Sequence, residues 1–553
     1  MNRAQLKSQA KQLVGLENYL MLRECATKIK KLSRSATVQF KQVQANRSKD
    51  KDSLGGRKGP LNTNLVWQKV HYVTADDAYL ANWNTVVSIL ESAQVRWWSV
   101  RTETDGRQVI GINIQDRNKI LEYLKKYSRS TSLSTYAMNP MAKNPQYLLQ
   151  VAENYSEIKE AEVLRICTPL KSELDGRNYG FAFGCDLEFW VLNQDVVRAP
   201  RENKASKEIS QLDFELVPTE LNGRTVYTPK VFLKRMLDDF NFEVDVVYTW
   251  VDGNDPKWKS KKDACMGIPH SDKSEFHAEA VSDSRFESRD ELKYSLRSIA
   301  LFAPWVRNIY IVTDDQIPSW LDTDNPRIKI IDHKEIMKPE NLPTFNSNAI
   351  ISNIHHIPGL SEHFIFFNDD VMLGQRVSKS DFFTPSGIAL VSRSNNRRPF
   401  GDPSLEYGPH FNITRNIRRI LEEQFGVTIS RAIKHTPHPL MKSVMYEMEE
   451  LFESEFEKTS ASKFRHHEDI VADQLHHYYA QIVGKAVPGN LTYNYINILN
   501  DQFINVMRNT LVKRNRKAFC INDAPEPGAT PIPEWEIMNF FNTYFPKESE
   551  FEI

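Results

Sequence analysis

From residue 243 onward, the apolar positions of the chain follow strand and helix periods in turn. Short apolar runs predict buried strands at Val244–Val251, Asn308–Thr313, Arg327–Asp332 and His363–Phe367. Arg289–Phe302 instead places apolar residues three and four positions apart, which is typical of a helix packed on one face. Strands separated by helices predict a parallel or mostly parallel sheet.

The remaining patterns divide the chain into three regions. Further helices are predicted at Asn346–His355, Phe411–Phe425, Leu440–Glu457, His467–Val483 and Pro533–Tyr544. Earlier elements are predicted strands at Lys69–Val73, Val95–Arg101, Val109–Ile114, Val163–Thr168 and Phe181–Leu192, and a helix at Arg117–Lys126. We therefore predict an α/β protein with a basic arm and linker over 1–64 and a small α/β accessory region over 65–240. A larger domain with a helical carboxyl-terminal part follows over 241–545.

Composition excludes several classes of protein. With 553 residues, 41% of them apolar and 26% charged, the chain is an ordinary globular protein. The cysteines lack the CxxC spacing of zinc sites and are Cys25, Cys167, Cys185, Cys265 and Cys520. Their scatter argues against a disulfide scaffold and favours a reducing compartment. No apolar run is long enough to span a bilayer and no secretory signal opens the chain, so we predict a cytoplasmic location.

Positive charge is concentrated in the predicted arm. Residues 1–60 contain 14 Lys and Arg against 4 Asp and Glu, although the whole chain has zero formal charge. An amphipathic segment near Leu6–Leu32 could attach to the anionic inner face of a membrane. The alternatives are a solvated arm and nonspecific nucleic-acid binding. We favour peripheral membrane contact and expect no nucleic-acid partner.

Polar residues follow two of the predicted strands directly. The first strand leads into Trp250-Val-Asp-Gly253, and the fourth leads into Asn368-Asp369-Asp370. Open α/β sheets bind ligands at the carboxyl ends of their strands. Adjacent carboxylates there suit Mg²⁺ or Mn²⁺ bound to a diphosphate. The alternative for Asn368–Asp370 alone is a turn in which the acids cap the next element.

Histidines and one more acid cluster late in the chain. His435-Thr-Pro-His438 and Arg465-His-His-Glu-Asp469 each combine groups that could move a proton or hold phosphate. Zinc binding is the alternative, but the chain lacks a HExxH arrangement. Cys520-Ile-Asn-Asp523 is a further transition from apolar to acidic residues, in which Asp523 could be a second metal ligand.

Taken together, these segments resemble the Stealth family of sugar-phosphate transferases. The similarity covers roughly residues 243–545, with motifs in the order expected for four conserved regions. The motifs are Asp245–Asp255; Ser284-Arg-Phe, Arg289–Ser298, Ala303–Arg307, Ile309–Asp314, Ile317–Trp320, Leu342–Phe345 and Phe364–Gly374; His435–Asp469; and Cys520–Asp523.

The resemblance implies a fold and a reaction. It implies a GT-A-like nucleotide-sugar-binding core, a UDP-sugar donor of the N-acetylhexosamine type and a glycan acceptor. The sugar 1-phosphate would be transferred and UMP released, in capsular or exopolysaccharide synthesis. The alternatives are a GT-A glycosyltransferase that moves the sugar alone and a non-catalytic sugar-nucleotide-binding assembly subunit.

The resemblance also implies roles for individual residues. His435 is the expected base, Asp370 and Asp523 are the expected ligands of Mg²⁺ or Mn²⁺, and Arg297 and Arg465 are expected to contact phosphate. The residues expected to bind substrate are Asp245, Trp250, Asp252, Gly253, Asn368, Asp369, Arg415, His438 and Asn522.

Overall fold

The structure, a computed structural model, describes residues 67–102, 106–128, 133–138, 147–150, 161–267, 289–404, 409–524 and 526–553. The predicted basic arm, and the membrane contact assigned to it, lie outside these ranges. Within them, no helix combines the length and the apolar content that crossing a bilayer requires.

The described part of the predicted accessory region has one large mixed sheet, two small sheets (β1-β7-β8 and β12-β13) and helices packed on the large sheet. Its strands are β1 (Gln68–Val70), β2 (Trp97–Val100), β3 (Val109–Asn113), β4 (Ser134–Met138), β5 (Tyr147–Gln150), β6 (Val163–Cys167), β7 (Leu170–Ser172), β8 (Asn178–Tyr179), β9 (Cys185–Leu192), β10 (Val196–Arg198), β11 (Glu208–Ser210), β12 (Leu216–Leu221) and β13 (Arg224–Pro229). Its helices are α1 (Ala75–Ser92) and α2 (Arg117–Ser128). The main path of the sheet is β11-β10-β9-β6-β4-β5, and β3 also pairs with β9. Trp83 of α1 and Ile120 of α2 are fully buried in one core with Leu187 of the sheet.

Helix α1 was missed by the sequence analysis. It begins after Thr74, whose hydroxyl accepts a hydrogen bond from Asp77 N, while the Asp77 carboxylate accepts one from Thr74 N. This capping box satisfies backbone donors that the first helical turn leaves open. The buried face of α1 includes Asn82, which donates to Ala78 O and Phe183 O. A buried polar residue weakens the apolar periodicity from which a helix is predicted.

The larger domain begins at the strand predicted first. Its strands are β14 (Val244–Thr249), β15 (Ile309–Thr313), β16 (Ile328–Asp332), β17 (His363–Asn368), β18 (Val371–Leu373), β19 (Ala389–Arg397), β20 (Arg431–Ile433), β21 (His438–Met441), β22 (Ala486–Gly489), β23 (Tyr493–Asn497) and β24 (Ala518–Asn522). Its helices are α3 (Pro256–Gly267), α4 (Glu291–Phe302), α5 (His333–Ile336), α6 (Ser347–Ile351), α7 (Pro409–Phe425), α8 (Lys442–Leu451), α9 (Glu453–Ala461), α10 (Ala472–Ile482), α11 (Ile504–Lys513) and α12 (Glu534–Tyr544).

The main sheet has the predicted mostly parallel arrangement. Its order is β16-β15-β14-β17-β21, with β21 antiparallel to β17 and the other neighbours parallel. Every residue of β15 is buried, as are the first five of β14, because strands covered on both faces are apolar throughout. The chain moves outward from β14 to β16 and then returns to β17 on the other side of β14. The strand order therefore reverses between β14 and β17.

Two small sheets bring late segments to this reversal. One has the order β18-β24-β23, and Val371 of β18 lies opposite Cys520 of β24. The other has the order β20-β19-β22 and leads from Ile433 toward β21. Asp369 and Asp370 lie between β17 and β18, so they sit where the main sheet meets the first small sheet.

Three predicted helices differ from those in the structure, and one of them, predicted at His467–Val483, begins only at Ala472. The predicted helix Leu440–Glu457 is divided at Phe452, whose buried side chain and non-helical backbone end α8 and start α9. The predicted helix Asn346–His355 is shorter, because α6 ends at Ile351 and a separate 3₁₀ turn follows. The division at Phe452 shows how burial of one aromatic residue overrides a continuous helical pattern.

The accessory region and the larger domain are joined by polar contacts. Arg514 donates to Asp175 O at 2.9 Å, and Arg376 forms an ion pair with Asp76. These contacts unite the described residues in one compact unit. The boundaries proposed at residues 64 and 240 stay predictions.

Candidate active site

The loops after β14 and β17 start side by side. The two strands are parallel and in register, with Thr249 opposite Asn368. Trp250–Asn254 and Asp369–Asp370 therefore leave the same edge of the sheet. They do so where the strand order reverses, which is the place where open α/β sheets form a ligand crevice.

Asp370 is held by residues from three distant segments. Its carboxylate lies 3.2 Å from His435 Nε2 and accepts hydrogen bonds from Cys520 Sγ at 3.2 Å and Asn522 Nδ2 at 3.3 Å. Its backbone oxygen accepts from Ile521 N at 2.9 Å, which extends the pairing of β18 with β24. Asn522 is fixed in turn, because its Oδ1 accepts from the Tyr495 hydroxyl. The predicted residues Asp370, His435 and Asn522 are thus in direct contact.

His435 is the more accessible member of the pair. Its side chain is 35% exposed, whereas that of Asp370 is 17% exposed. The amide nitrogen of Asn368 lies 3.3 Å from His435 Nε2. The imidazole therefore lies between a fixed carboxylate and the open crevice, where it can meet a substrate.

Mutual attraction sets the charge of Asp370 and His435. Burial alone would raise the pKa of Asp370, but the positive charge of His435 and the hydrogen bonds to the carboxylate hold it below its usual range. Burial alone would lower the pKa of His435, but Asp370 outweighs it and raises that pKa. Each residue therefore favours the charged form of the other.

Further acids surround this pair. Burial, together with the charges of Asp370 and Glu291, raises the pKa of Asp369 well above its usual range. Burial also raises the pKa of Glu291, and Asp370 adds to this effect. Asp523 lies nearby, since Asp369, Asp370 and Asp523 all raise the pKa of the Cys520 thiol after burial has done so. Several carboxyl groups thus converge on the crevice.

The donors in this cluster fit a hard divalent cation. Asp370 and Asp523, the predicted ligands, carry carboxylate oxygens, and a divalent cation between them would offset their like charge. Asp370, His435 and Cys520 also offer ligand atoms within 4.8 Å of one another, a donor set that suits Zn²⁺. We favour the oxygen set, because Mg²⁺ and Mn²⁺ prefer carboxylate oxygens and are suited to a diphosphate, and the Cys520 thiol is already hydrogen-bonded to Asp370.

Arg289 and Glu291 enter the site without having been predicted as site residues. Both lie at the start of α4, where Arg289 Nη1 is 3.7 Å from Glu291 Oε1 and 4.0 Å from Asp523 Oδ2. Their sequence signal was the Arg289–Ser298 motif, of which only Arg297 was assigned a role.

His438 positions the segment that carries His435. It is buried, with Nδ1 2.6 Å from Asp473 Oδ2 and Nε2 2.9 Å from Lys434 O. This arrangement makes His438 a positioning residue rather than the substrate-binding residue that was predicted, since both ring nitrogens have partners within the protein.

The loop after β14 is fixed by a residue that the sequence analysis missed. Gln316 accepts from Asp252 N at 2.9 Å and donates to Asp252 O at 3.0 Å. Trp250 N donates to Val312 O, and both Trp250 and Gly253 are buried. The predicted nucleotide-side loop is therefore ordered by β15 and the segment that follows it.

Arg465 lies on the side of this loop. It donates from Nη2 to Ser347 Oγ at 2.6 Å, and the preceding residue, Phe464, stacks on Phe345. Phe345 in turn contacts Trp258 of α3, the helix that follows the loop. The contacts thus associate Arg465 with the β14 side of the crevice.

Asp245 requires a correction. It lies at the amino end of β14, the end opposite to Trp250, and it is fully buried. Arg307 binds its carboxylate in a bidentate manner at 2.8 and 2.5 Å, and Ser361 N donates to it at 2.8 Å. Asp245 therefore holds the base of the sheet together and is not positioned to bind substrate at the crevice.

Arg297 also requires a correction. Its guanidinium is buried and donates to both Glu552 oxygens and to Phe545 O, with the shortest distance 2.6 Å to Glu552 Oε2. Since these contacts fasten α4 to the segment after α12, we remove Arg297 from the candidate phosphate contacts. Arg415, predicted to bind substrate, is likewise buried and donates to Asp402 O and Phe400 O.

A second candidate metal cluster is better described as a hydrogen-bonded group. His355 Nε2 and His356 Nε2 each lie 2.9 Å from the same oxygen of Glu449. His355 Nδ1 is buried and has no hydrogen-bond partner among the described residues. A cation on Nε2 would place a proton on this nitrogen and leave a buried donor unsatisfied, which is costly.

Comparison with known proteins agrees with the motifs of the first three conserved regions, and the ranges matched by their models do not include the fourth, Cys520–Asp523. Family models of Stealth protein conserved regions 1, 2 and 3 match residues 242–268, 285–391 and 434–481. Exopolysaccharide phosphotransferase SCO6021 of Streptomyces coelicolor is 36% identical over 491 residues, which are 85% of this chain and 90% of that protein. Exopolysaccharide phosphotransferase CpsY of Mycobacterium tuberculosis is 32% identical over 489 residues, which are 87% of this chain and 89% of that protein.

A solved structure, the WbbM bifunctional glycosyltransferase in its apo form, is similar over 56% of this chain and 50% of that chain. Its identity is 11% and its TM-score 0.29, and we draw no conclusion about the fold from it. The sequence relatives establish the family of this chain, and they confirm the resemblance that we inferred from the motifs. The chain belongs to the Stealth family and is a phosphotransferase.

Proposed function

We propose that this enzyme transfers a sugar 1-phosphate from a UDP-sugar to a hydroxyl of a glycan acceptor and releases UMP. We propose an N-acetylhexosamine as the donor sugar and exopolysaccharide or capsule synthesis as the process. The observation that carries the proposal is the Asp370–His435 pair at the crevice where the strand order reverses. The names of the relatives support the same class of reaction.

The core would bind the donor as a GT-A-like domain does. Support comes from the parallel order β16-β15-β14-β17 and from the two loops that leave it side by side. The nucleotide would lie along Trp250–Gly253, and the diphosphate would lie toward Asn368–Asp370. Gln316 would keep the loop Trp250–Gly253 in its binding conformation, because its side-chain amide accepts a hydrogen bond from Asp252 N and donates one to Asp252 O.

His435 is the proposed base. It would take the proton of the acceptor hydroxyl while the hydroxyl oxygen attacks the β-phosphorus of the donor. A phosphodiester bond forms, the bond from that phosphorus to the bridging oxygen breaks, and UMP leaves with the bridging oxygen. Asp370 would stabilise the imidazolium that results, as a carboxylate partner does in other histidine bases. The anomeric carbon–oxygen bond stays intact, so the configuration of the sugar is retained.

Positive groups would balance the charge on the phosphoryl oxygens. Mg²⁺ or Mn²⁺ held by Asp370 and Asp523 would neutralise the diphosphate of the donor. Arg289 approaches from the Asp523 side and Arg465 from the loop side. Guanidinium groups suit this task, because they bind phosphate in a bidentate manner.

One assay tests the proposal. Purified enzyme is supplied with UDP-N-acetylglucosamine and a glycan acceptor, with and without chelator, and the released nucleotide and the ³¹P NMR spectrum of the product are measured. We expect UMP and a phosphodiester signal that chelator abolishes. Release of UDP would identify a glycosyltransferase that moves the sugar alone. Donor binding without turnover, across a panel of UDP-sugars and acceptors, would identify a binding subunit.

A separate proposal concerns where in the cell the enzyme works. We propose that the enzyme works in the cytoplasm, with the basic arm of residues 1–64 on the anionic inner face of the membrane. Support comes from the 14 Lys and Arg in residues 1–60.

A further inference from the structure

One surface outside the cluster around Asp370 and His435 carries several positively charged side chains. Its members come from β19, β20 and the residues beside them. We call it the arginine ribbon, and it consists of Arg393, Arg397, Arg398, Arg431 and Lys434. Across the described part of the chain, none of these five cations forms an ion pair with a carboxylate. Surface cations elsewhere in the protein, such as Arg198 and Arg224, do form such pairs.

The pairing of strands brings like charges together within the ribbon. Arg397 of β19 lies directly opposite Arg431 of β20, and both are exposed. Side chains directly opposite each other in an antiparallel pair are close neighbours, and like charges in that position destabilise the sheet. An anion between the two guanidinium groups would remove this repulsion.

The cations behind this pair also lack compensation. Burial lowers the pKa of Arg398 and of Lys434, and no carboxylate raises either value. Arg398 and Lys434 keep positive charge in a partly desolvated position, which strengthens their attraction for an anion.

The ribbon leads to the proposed base. β20 ends at Ile433, and Lys434 and His435 follow directly. Four residues in extended conformation span roughly 13 Å, so Arg431 lies within that distance of His435 along the chain. Beside the ribbon, Phe400 exposes 61% of its surface, and the Arg418 guanidinium lies 3.9 Å from its ring centroid. This ring is held in place and is open to the apolar face of a sugar.

From this geometry, we propose that the arginine ribbon is an acceptor-binding surface for a glycan that already carries phosphodiester groups. The inference rests on the proposed function, because each transfer of a sugar 1-phosphate leaves one negative charge on the product. The ribbon would hold the charged part of the growing glycan while its terminal hydroxyl reaches His435. The positive charge of the ribbon complements the phosphodiester groups, and the ribbon leads along the chain to His435. Both features favour this glycan over a neutral one.

The test compares two charge-matched variants. The ribbon variant combines Arg393→Gln, Arg397→Gln and Arg431→Gln, and the control combines Arg96→Gln, Lys119→Gln and Lys126→Gln on the accessory region. All six positions are exposed, so both variants should fold. The probes are a labelled oligomer of hexoses joined by phosphodiesters and the neutral oligosaccharide of the same length. Equilibrium binding is measured over a range of salt concentrations.

We expect the full-length enzyme to bind the phosphodiester oligomer more tightly than the neutral one, and to lose that preference as salt increases. The ribbon variant should weaken binding of the charged oligomer by about 10-fold or more and reduce the salt dependence, whereas the control should not. Equal weakening in both variants, or equal binding of the two probes, would overturn the proposal. Binding to phosphatidylglycerol vesicles is measured as well. If the ribbon variant lost binding to these vesicles but still bound the oligomer normally, the ribbon would be a membrane-binding surface and the proposal would be overturned.

The outcome is separable from that of the proposed function. Ribbon-dependent binding of the oligomer without release of UMP would disprove the transfer reaction and leave a polyanionic glycan site. If the enzyme released UMP and the ribbon and control variants had the same KM for the phosphodiester acceptor, the transfer reaction would be supported. The role of the ribbon would be disproved.

Discussion

His438 Nδ1 lies 2.6 Å from Asp473 Oδ2, and both side chains are buried. The other nitrogen of His438 meets Lys434 O, one residue before the proposed base. Helix α10, which carries Asp473, thereby determines where His435 lies, although Asp473 itself has no place in the proposed chemistry.

Asp473→Ala should therefore impair both stability and turnover. Leaving the buried His438 without its partner should reduce the free energy of unfolding by about 1–3 kcal/mol. Misplacement of His435 should reduce kcat by roughly 10- to 100-fold without changing the KM for the donor. Asp473→Asn keeps an acceptor oxygen and should recover much of kcat. Equal kcat losses in both variants would contradict the positioning role.

Replacement of the proposed base should affect chemistry alone. His435→Ala should reduce kcat by about 10²–10⁴-fold, because general base catalysis contributes that much, while donor binding persists. His356→Ala is a suitable control, since His356 belongs to the separate group around Glu449. Near-normal turnover of His435→Ala would remove this residue from the mechanism.

Metal dependence should follow the two proposed ligands. Chelator should abolish turnover, and Mg²⁺ or Mn²⁺ should restore it. Asp370→Asn should lose turnover at any metal concentration, and Asp523→Asn should need roughly 10-fold more metal for half-maximal activity, since ligand charge sets affinity. Asp324→Asn, in an exposed turn before β16, is the matched control. Full activity of Asp370→Asn in the presence of chelator would refute the metal site.

Arg297 and Glu552 should behave as a structural pair. Removing either partner leaves a largely buried charge uncompensated, so Arg297→Ala and Glu552→Ala should each lower the free energy of unfolding by about 3–5 kcal/mol. The KM for the donor should rise in neither. If Arg297→Ala raised that KM while Glu552→Ala did not, the phosphate contact inferred from the sequence would be restored.

The Glu449 group should make stability depend on pH in acid. Burial alone would raise the pKa of Glu449, but hydrogen bonds from His355 and His356 bring it from 4.5 to about 2. The unfolded state therefore takes up a proton first as the pH falls. Stabilisation by Glu449 should be complete above about pH 4.5 and should disappear as the pH falls through about 2.

Glu449→Gln measures this contribution. At pH 7 the variant should be less stable than the wild type by about 1–2 kcal/mol, a value discounted because Glu449 is partly exposed. The difference should shrink toward zero as the pH approaches 2. Glu450→Gln, at the exposed neighbouring position, should show no such convergence. A difference that is constant across this range would contradict the lowered pKa.

The sequence predicted those parts of the fold that rest on local pattern. The strands around Val247, Ile311 and Phe366 were recognised because each is a buried apolar run, and the polar ends of two of them pointed to the crevice. The roles expected of Asp370, His435 and Asn522 came from the family resemblance, and the tertiary fold brings His435 and Asn522 to Asp370. Helix α1 was missed because a buried Asn82 interrupts its apolar face.

Arginines were the least predictable residues of the site. Arg297 and Arg289 lie eight positions apart in one motif, yet Glu552 engages the first and Asp523 approaches the second. A guanidinium on a long side chain takes its role from whichever carboxylate or carbonyl the tertiary fold brings near, and no local pattern encodes that partner. Asp245 was misplaced for the same reason, since its partner Arg307 is 62 residues away.

The pairing of β18 with β24 has a consequence for biosynthesis. Cys520 and Asp370 are separated by 150 positions, yet they are in contact in the candidate active site. In a nascent chain, β18 would lack its partner strand until β24 had left the ribosome. Until then, the acids after β17 would stay without the residues of β24 that contact them. Contacts so distant in sequence form slowly. The enzyme should therefore become active only after synthesis of β24.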